Sequence, residues 1–186
     1  MKSEHQIINN LRIKQRHEMS KYRFGPAAPD ENIVFGACRP GYPSDSPTSK
    51  MIDEWIEFMR ERHIERVCCL LDEKIEHYDK LLNRYEQEFG AESICHAPIT
   101  DHETISKPTL LETVLPFLRE ARTNSERAVV HCSAGIGRTG HVLALWLTHE
   151  RGYNVKNAIE EVERKTCGKR NPCEVTDIEQ LEWLSH

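Results

Sequence analysis

Long apolar runs are missing from this sequence. No stretch approaches the roughly 20 apolar residues of a membrane-spanning helix. The first thirty residues hold no continuous apolar segment, so no secretory signal is expected. Excess positive charge is missing too: 25 Lys and Arg stand against 30 Asp and Glu, a net charge of −5. Without a polybasic footprint, neither nucleic acid nor an anionic membrane is an expected partner. The acidic excess is itself too small to point to a high-salt proteome. Cys-x2-Cys spacing is absent, and the seven cysteines are odd in number and include the adjacent pair Cys68-Cys69. That pattern argues against a disulfide framework and a zinc site, and for a reducing, cytoplasmic compartment. Internal repeats, low-complexity tracts and linkers are also lacking.

What remains is an ordinary soluble composition, 38% hydrophobic and 30% charged over 186 residues, enough for one domain with a sizeable core. Residues 1–31 read as an N-terminal arm docked on the domain, with Ile7, Ile8 and Leu11 at helical spacing. Residues 32–186 form the domain proper. Strands are expected at Asn32–Gly36, Arg66–Leu71, Ser93–Ile99 and Arg127–Val130, each a short apolar run. Helices are expected between them. One runs from Ser49 to His63 with Ile52, Trp55, Ile56 and Met59 on one face. A second runs from Lys74 to Phe89, with Ile75, Tyr78, Leu82, Tyr85 and Phe89 at its period and Gly90 as its stop. A third runs from Ser106 to about Asn124, with Pro108 in its first turn and a bend at Pro116. His141–Arg151 is apolar on almost every side, as a central buried helix should be. Gly152 ends it, and Asn154 caps a helix whose apolar face is Val155, Ala158, Ile159 and Val162. After a loop from Cys167 to Pro172, Thr176–Leu184 is a last short helix. Alternating strands and helices predict a single α/β domain, its central, mainly parallel sheet flanked by helices.

One stretch stands out: His131-Cys132-Ser133-Ala134-Gly135-Ile136-Gly137-Arg138-Thr139-Gly140. It joins a buried strand to a buried helix through a glycine-bearing loop. Backbone N–H groups of Ser133, Ala134, Gly135, Ile136 and Gly137, with the helix dipole, would make an anion cradle. Arg138 can add a bidentate fork to the same anion. A thiol at Cys132, among N–H dipoles and a guanidinium, is drawn toward the thiolate, its nucleophilic form. Beneath a bound phosphate, that sulfur is placed for in-line attack. The Thr139 hydroxyl is expected to donate to the sulfur, and His131 to order the loop by hydrogen bonds. Arg39, in the turn cluster Cys38–Pro43, reads equally as an anion binder or a solvated turn residue.

These residues resemble the His-Cys-x5-Arg-Ser/Thr signature of the cysteine-dependent protein tyrosine phosphatases, and the chain is similar to their small dual-specificity members from about residue 32 to 184. The resemblance implies a phosphate-binding loop between strand and helix, a cysteinyl-phosphate intermediate, no metal and no cofactor. It also implies an aspartate acid on a loop at the same end of the sheet. Asp101, 31 residues before Cys132, fits in the context Ala97-Pro98-Ile99-Thr100-Asp101; Glu103 is a rival on the same loop and His102 a weaker one. The tyrosine-bearing loop and tryptophan-proline-aspartate loop of the large tyrosine-specific members are absent, and Thr176 stands where those members carry a water-positioning glutamine.

The neutral cradle positions Ser133 and Ile136 disfavour polyphosphorylated inositols. A phosphorylated protein or peptide, carrying phosphotyrosine first and the shorter phosphoserine or phosphothreonine esters second, is the expected substrate. A silent phosphate-binding module, or an enzyme acting on non-protein phosphates such as RNA 5′ ends, small metabolites or lipids, is the alternative. Cys38, Cys69 and Cys95 are candidates for a disulfide with Cys132 under oxidation.

Overall fold

A computed structural model gives the fold and describes residues 21–72, 80–165 and 170–186. The helical spacing at Ile7, Ile8 and Leu11, the first part of the helix expected from Lys74 (with Ile75 and Tyr78) and the first half of the loop at 167–172 lie outside the described residues.

Among the described residues, five strands make one sheet: β1 (Gly25–Pro26), β2 (Val34–Cys38), β3 (Ile64–Cys69), β4 (Ile94–His96) and β5 (Arg127–Cys132). Their spatial order is β1-β2-β5-β3-β4, with only β1 antiparallel to its neighbour. The longer helices are α1 (Ser49–Glu61), α2 (Leu81–Phe89), α3 (Leu115–Asn124), α4 (Gly137–Arg151), α5 (Val155–Lys165) and α6 (Ile178–Leu184). The expected α/β domain with a mainly parallel sheet is therefore the observed one.

β5 lies in the middle, and its side chains alternate between two apolar layers. Ala128, Val130 and Cys132 face the layer that holds Val142, Leu143 and Trp146 of α4. Val129 faces the other, with Trp55 of α1 and Tyr85 of α2. Each layer follows from sequence pattern. α4 is buried at every residue from Gly137 to Leu147, so it needs no polar face. α1 is amphipathic and buries Ile52, Trp55, Ile56, Phe58 and Met59, while the Thr48 side chain caps its start. Gly152, at φ +73°, ends α4, and Asn154 accepts from the Asn157 N–H to begin α5.

Three expectations shift. β2 begins at Val34 rather than Asn32, because Glu31 Oε1 takes the N–H groups of Ile33 and Val34 and holds them in a turn. β4 is shorter than Ser93–Ile99, since Pro98 has no N–H to continue a ladder. Pro116 does not simply bend its helix. A π-turn at Leu110–Val114 precedes it, Leu115 N–H reaching back to the Leu110 carbonyl. The wider turn relieves the clash between the proline ring and the carbonyl four residues earlier.

Glu31 ties the described N-terminal part to the core. Its carboxylate is buried and also accepts from Trp146 Nε1 at 3.0 Å and Arg151 Nε at 2.8 Å. Glu31→Ala would leave the Trp146 N–H and two backbone N–H groups without their acceptor. It is expected to cost about 3 kcal/mol, read as a lower urea midpoint at unchanged slope.

Candidate active site

β5 ends at Cys132, and α4 begins five residues later at Gly137. The turn between them closes on the sulfur: Gly135 N–H points at Cys132 Sγ at 3.3 Å. Gly135 has φ +72°, and a Cβ there would stand 2.5 Å from the Ala37 carbonyl oxygen, so only glycine fits. Ile136 precedes α4 without any side-chain cap, leaving the first N–H groups of the helix to a ligand.

The sequence-derived site residues come together here. A cavity of about 230 Å³ opens above the turn; Cys132, Ser133, Ala134, Gly137, Arg138 and Asp101 line it, with Tyr42, His102, Glu174 and Val175. Arg138 is buried, and its guanidinium donates to the Ile99 carbonyl and to Asp101 Oδ1, both at 2.8 Å. The same arginine thus holds the start of the acid loop at both Ile99 and Asp101. The Asp101 side chain is 55% exposed, with His102 Nε2 3.9 Å from its other oxygen. Glu103 is not on the cavity wall.

Thr139 meets a different atom from the one expected. Its Oγ1 accepts from the Cys132 N–H at 2.9 Å, so it fixes the backbone that carries the sulfur. His131 is fully buried under the loop. Its Nδ1 lies 3.2 Å from the Cys132 carbonyl and its Nε2 3.1 Å from the Tyr85 hydroxyl. A neutral ring satisfies both, Nδ1–H donating to the carbonyl and Nε2 accepting from Tyr85.

Burial lowers the pKa of His131 to about 4, against the opposing hydrogen bond to the Cys132 carbonyl. Desolvation does the same to His141, whose two ring nitrogens have no partner among the described residues. Both rings stay neutral when folded, whereas in the unfolded chain they take protons below about pH 6.5. Stability is full above that pH and falls as pH drops from about 6.5 to 4. The two rings together give a slope near 2.7 kcal/mol per pH unit. Urea unfolding at pH 7, 6 and 5 measures this, and His141→Met should halve the slope.

Arg39 is neither a solvated turn residue nor an anion ligand. It is 2% exposed. Its Nε donates to Ser133 Oγ at 3.1 Å, its N–H to the Ser133 carbonyl, and its other nitrogens to the Pro40 and Ser44 carbonyls. Arg23 reaches the loop from the other side and donates to the Ala134 carbonyl at 2.6 Å. Its guanidinium also lies 4.8 Å from the centre of the Tyr42 ring, on the cavity wall. The sequence signal for Arg39 was its place just past β2, at the same sheet end as Cys132. In the C-terminal segment the sequence showed a loop, a last helix and Thr176 at the family's glutamine position, but not the contacts that Arg170, Glu174 and Val175 make. Buried Arg170 lies against Gly36 and donates to the Arg23 and Gly25 carbonyls. Glu174 and Val175 cover Gly137, where a Cβ would stand 2.6 Å from Glu174 Oε2. Gln180 of α6 donates to Thr104 Oγ1 on the acid loop at 3.0 Å.

Cys38 stands opposite Cys132 in the β2–β5 register, whereas Cys69 stands opposite His131 and Cys95 opposite Cys68. Position therefore narrows the disulfide candidates to Cys38. Its burial pushes its thiol up to about 11. Among the described residues, no helix is long and apolar enough to cross a membrane, and no cluster of His, Cys, Asp and Glu could hold a metal.

Comparisons with known proteins agree with this geometry. The chain is 33% identical over 82 residues to the dual specificity protein phosphatase Mpk3 of Drosophila melanogaster, covering 44% of this chain and 20% of that protein. It is 26% identical over 90 residues to the putative tyrosine phosphatase 123R of Invertebrate iridescent virus 6, covering 47% and 63%. It thus spans less than two thirds of these curated relatives. Among solved structures, Tk-PTP in its active form superposes with a TM-score of 0.65 at 26% identity, covering 86% of this chain and 97% of that one. Kinase associated phosphatase, 19% identical with a TM-score of 0.64, shares the fold. The model of one family spans residues 43–151, from the loop that supplies Tyr42's neighbours through Asp101 and Cys132 to the end of α4. With more than half its length so matched, and with the cysteine, arginine and carboxylate gathered at one cavity, the chain belongs to the DSP-PTPase phosphatases of polymorphic toxin systems.

Proposed function

We propose that this protein is a protein phosphatase hydrolysing phosphotyrosine, and with it phosphoserine and phosphothreonine, monoesters of proteins or peptides. The observation that carries the reading is Cys132 at the floor of a cavity that Arg138 and Asp101 also line, 2.8 Å from each other. Phosphate seats on the N–H groups of Ser133, Ala134, Gly135, Ile136 and Gly137 and takes the Arg138 guanidinium. Cys132 Sγ attacks phosphorus, the ester P–O bond breaks, and Asp101 gives its proton to the leaving oxygen. Water then attacks the cysteinyl phosphate and passes a proton to Asp101. The P–S bond breaks, and inorganic phosphate leaves. Charge on the equatorial oxygens is met by N–H dipoles and Arg138, so the chain's own groups complete the cycle without a metal or cofactor.

His131 and Thr139 hold the nucleophile's backbone in this reading. Residues 32–186 act as the catalytic domain, with the described residues 21–31 of the N-terminal arm upon it. The six described cysteines are unpaired, which supports a reducing, cytoplasmic setting. The test is phosphate release from a phosphotyrosyl peptide and from p-nitrophenyl phosphate, in reductant and chelator. Turnover of both is expected. Tight vanadate binding with no turnover would instead mean a phosphate-binding module.

A further inference from the structure

Among the described residues, two carboxylates line the cavity, Asp101 and Glu174, and the proposed reaction uses one. Asp101 is paired with Arg138, whereas Glu174 has no ion-pair partner among the described residues. Its position is fixed from both sides. The turn Pro172–Glu174 is capped by Asn171, whose Oδ1 accepts from the Cys173 N–H. Gly137 leaves the space its Oε2 needs. The carboxylate therefore lies against the first turn of α4, where the dipole favours negative charge and where a phosphate must also sit.

That arrangement has an electrostatic consequence. Among the described residues on the wall, Arg138 is the one with a permanent positive charge, and it goes to the bound phosphate. Glu174 then faces a dianion across the cavity with no cation of the described residues lining the space between them. The cation that best offsets this repulsion is one the ligand brings. We propose that Glu174 is a specificity-determining residue that selects phosphopeptides with lysine or arginine flanking the phosphorylated residue and rejects those with acidic flanks. This deepens the phosphatase reading and rests on it.

Two fluorescein-labelled phosphotyrosyl peptides, alike except for lysines or aspartates on either side of the phosphotyrosine, test the assignment. Their anisotropy is titrated with Cys132→Ser protein of all 186 residues. The lysine peptide is expected to bind about fivefold tighter, the size of an exposed ion pair gained in one peptide and repulsion in the other. The ratio should shrink in 0.5 M salt, as screening at about 4–5 Å demands. Adding Glu174→Gln should bring the ratio to near one, and Glu174→Lys should reverse it. Equal binding of the two peptides, or a preference that survives Glu174→Gln, overturns the assignment. Failure of the phosphatase reading shows separately, as no phosphate release from either peptide by wild-type protein. The binding ratio still decides the role of Glu174 in that case.

Discussion

Cys132→Ser is expected to lower p-nitrophenyl phosphate hydrolysis by about four orders of magnitude or more while phosphate binding survives. The loss is large because the reaction loses its nucleophile: a serine hydroxyl keeps its proton near neutral pH, and nothing in the cavity is placed to remove it. Asp101 faces Arg138 and is reserved for the leaving oxygen. Binding survives because the anion contacts do not pass through sulfur. They belong to the loop N–H groups, Arg138, and the backbone that Thr139 holds by the Cys132 N–H. Replacing S by O also keeps an acceptor for the Gly135 N–H at this buried site. Thermal unfolding with and without inorganic phosphate separates the two effects. A bound oxyanion raises Tm by mass action, and Cys132→Ser should keep that rise. Retained activity in the variant would remove Cys132 from the chemistry. A lost phosphate shift would instead mean that the loop had collapsed.

The part of the site that the sequence made legible is the part written in consecutive residues. From Arg127 to Arg151, a strand, a turn and a helix follow one another, and each residue's role depends on near neighbours. The turn could be read as glycine-bearing, and α4 as a buried helix, from local pattern alone. The walls were not legible, because they are made by residues far apart in the chain. Arg39 and Ser133 are 94 positions apart, and Arg23 and Ala134 are 111 apart. Apolar periodicity says which face of an element is buried, but not which distant polar side chain will return to it. Glu174 is the clearest case. In sequence it is one acidic residue in a polar tail; only the seating of its turn on Gly137 makes it part of the cavity. Thr139 shows a finer limit. Its position beside the cysteine was readable, but the atom it serves was settled by the geometry of the turn, which brings Oγ1 to a backbone N–H.

Asp101→Asn should slow a phosphotyrosyl peptide by about 10²- to 10³-fold in kcat, the usual range for losing a general acid. p-Nitrophenyl phosphate should be hurt much less. Its leaving group is a weak base that departs without a proton, so the difference between the two losses measures proton donation itself. The variant should also bind phosphate and vanadate a few-fold more tightly. In the empty site Asp101 Oδ1 sits 2.8 Å from Arg138, and an entering oxyanion must displace it. The carboxylate is more than half exposed, so that competition is modest. Glu103→Gln is the control for the rival on the same loop. Glu103 lies off the cavity wall, its N–H turning back to the Thr100 carbonyl, and the change should leave both substrates near wild-type rates. Equal losses for the two substrates in Asp101→Asn would mean that Asp101 only holds Arg138. A comparable loss in Glu103→Gln would move the acid two residues along the loop. The expected pattern, a steep loss confined to Asp101 and to the poor leaving group, assigns the proton to the carboxylate that Arg138 holds at the mouth of the cavity.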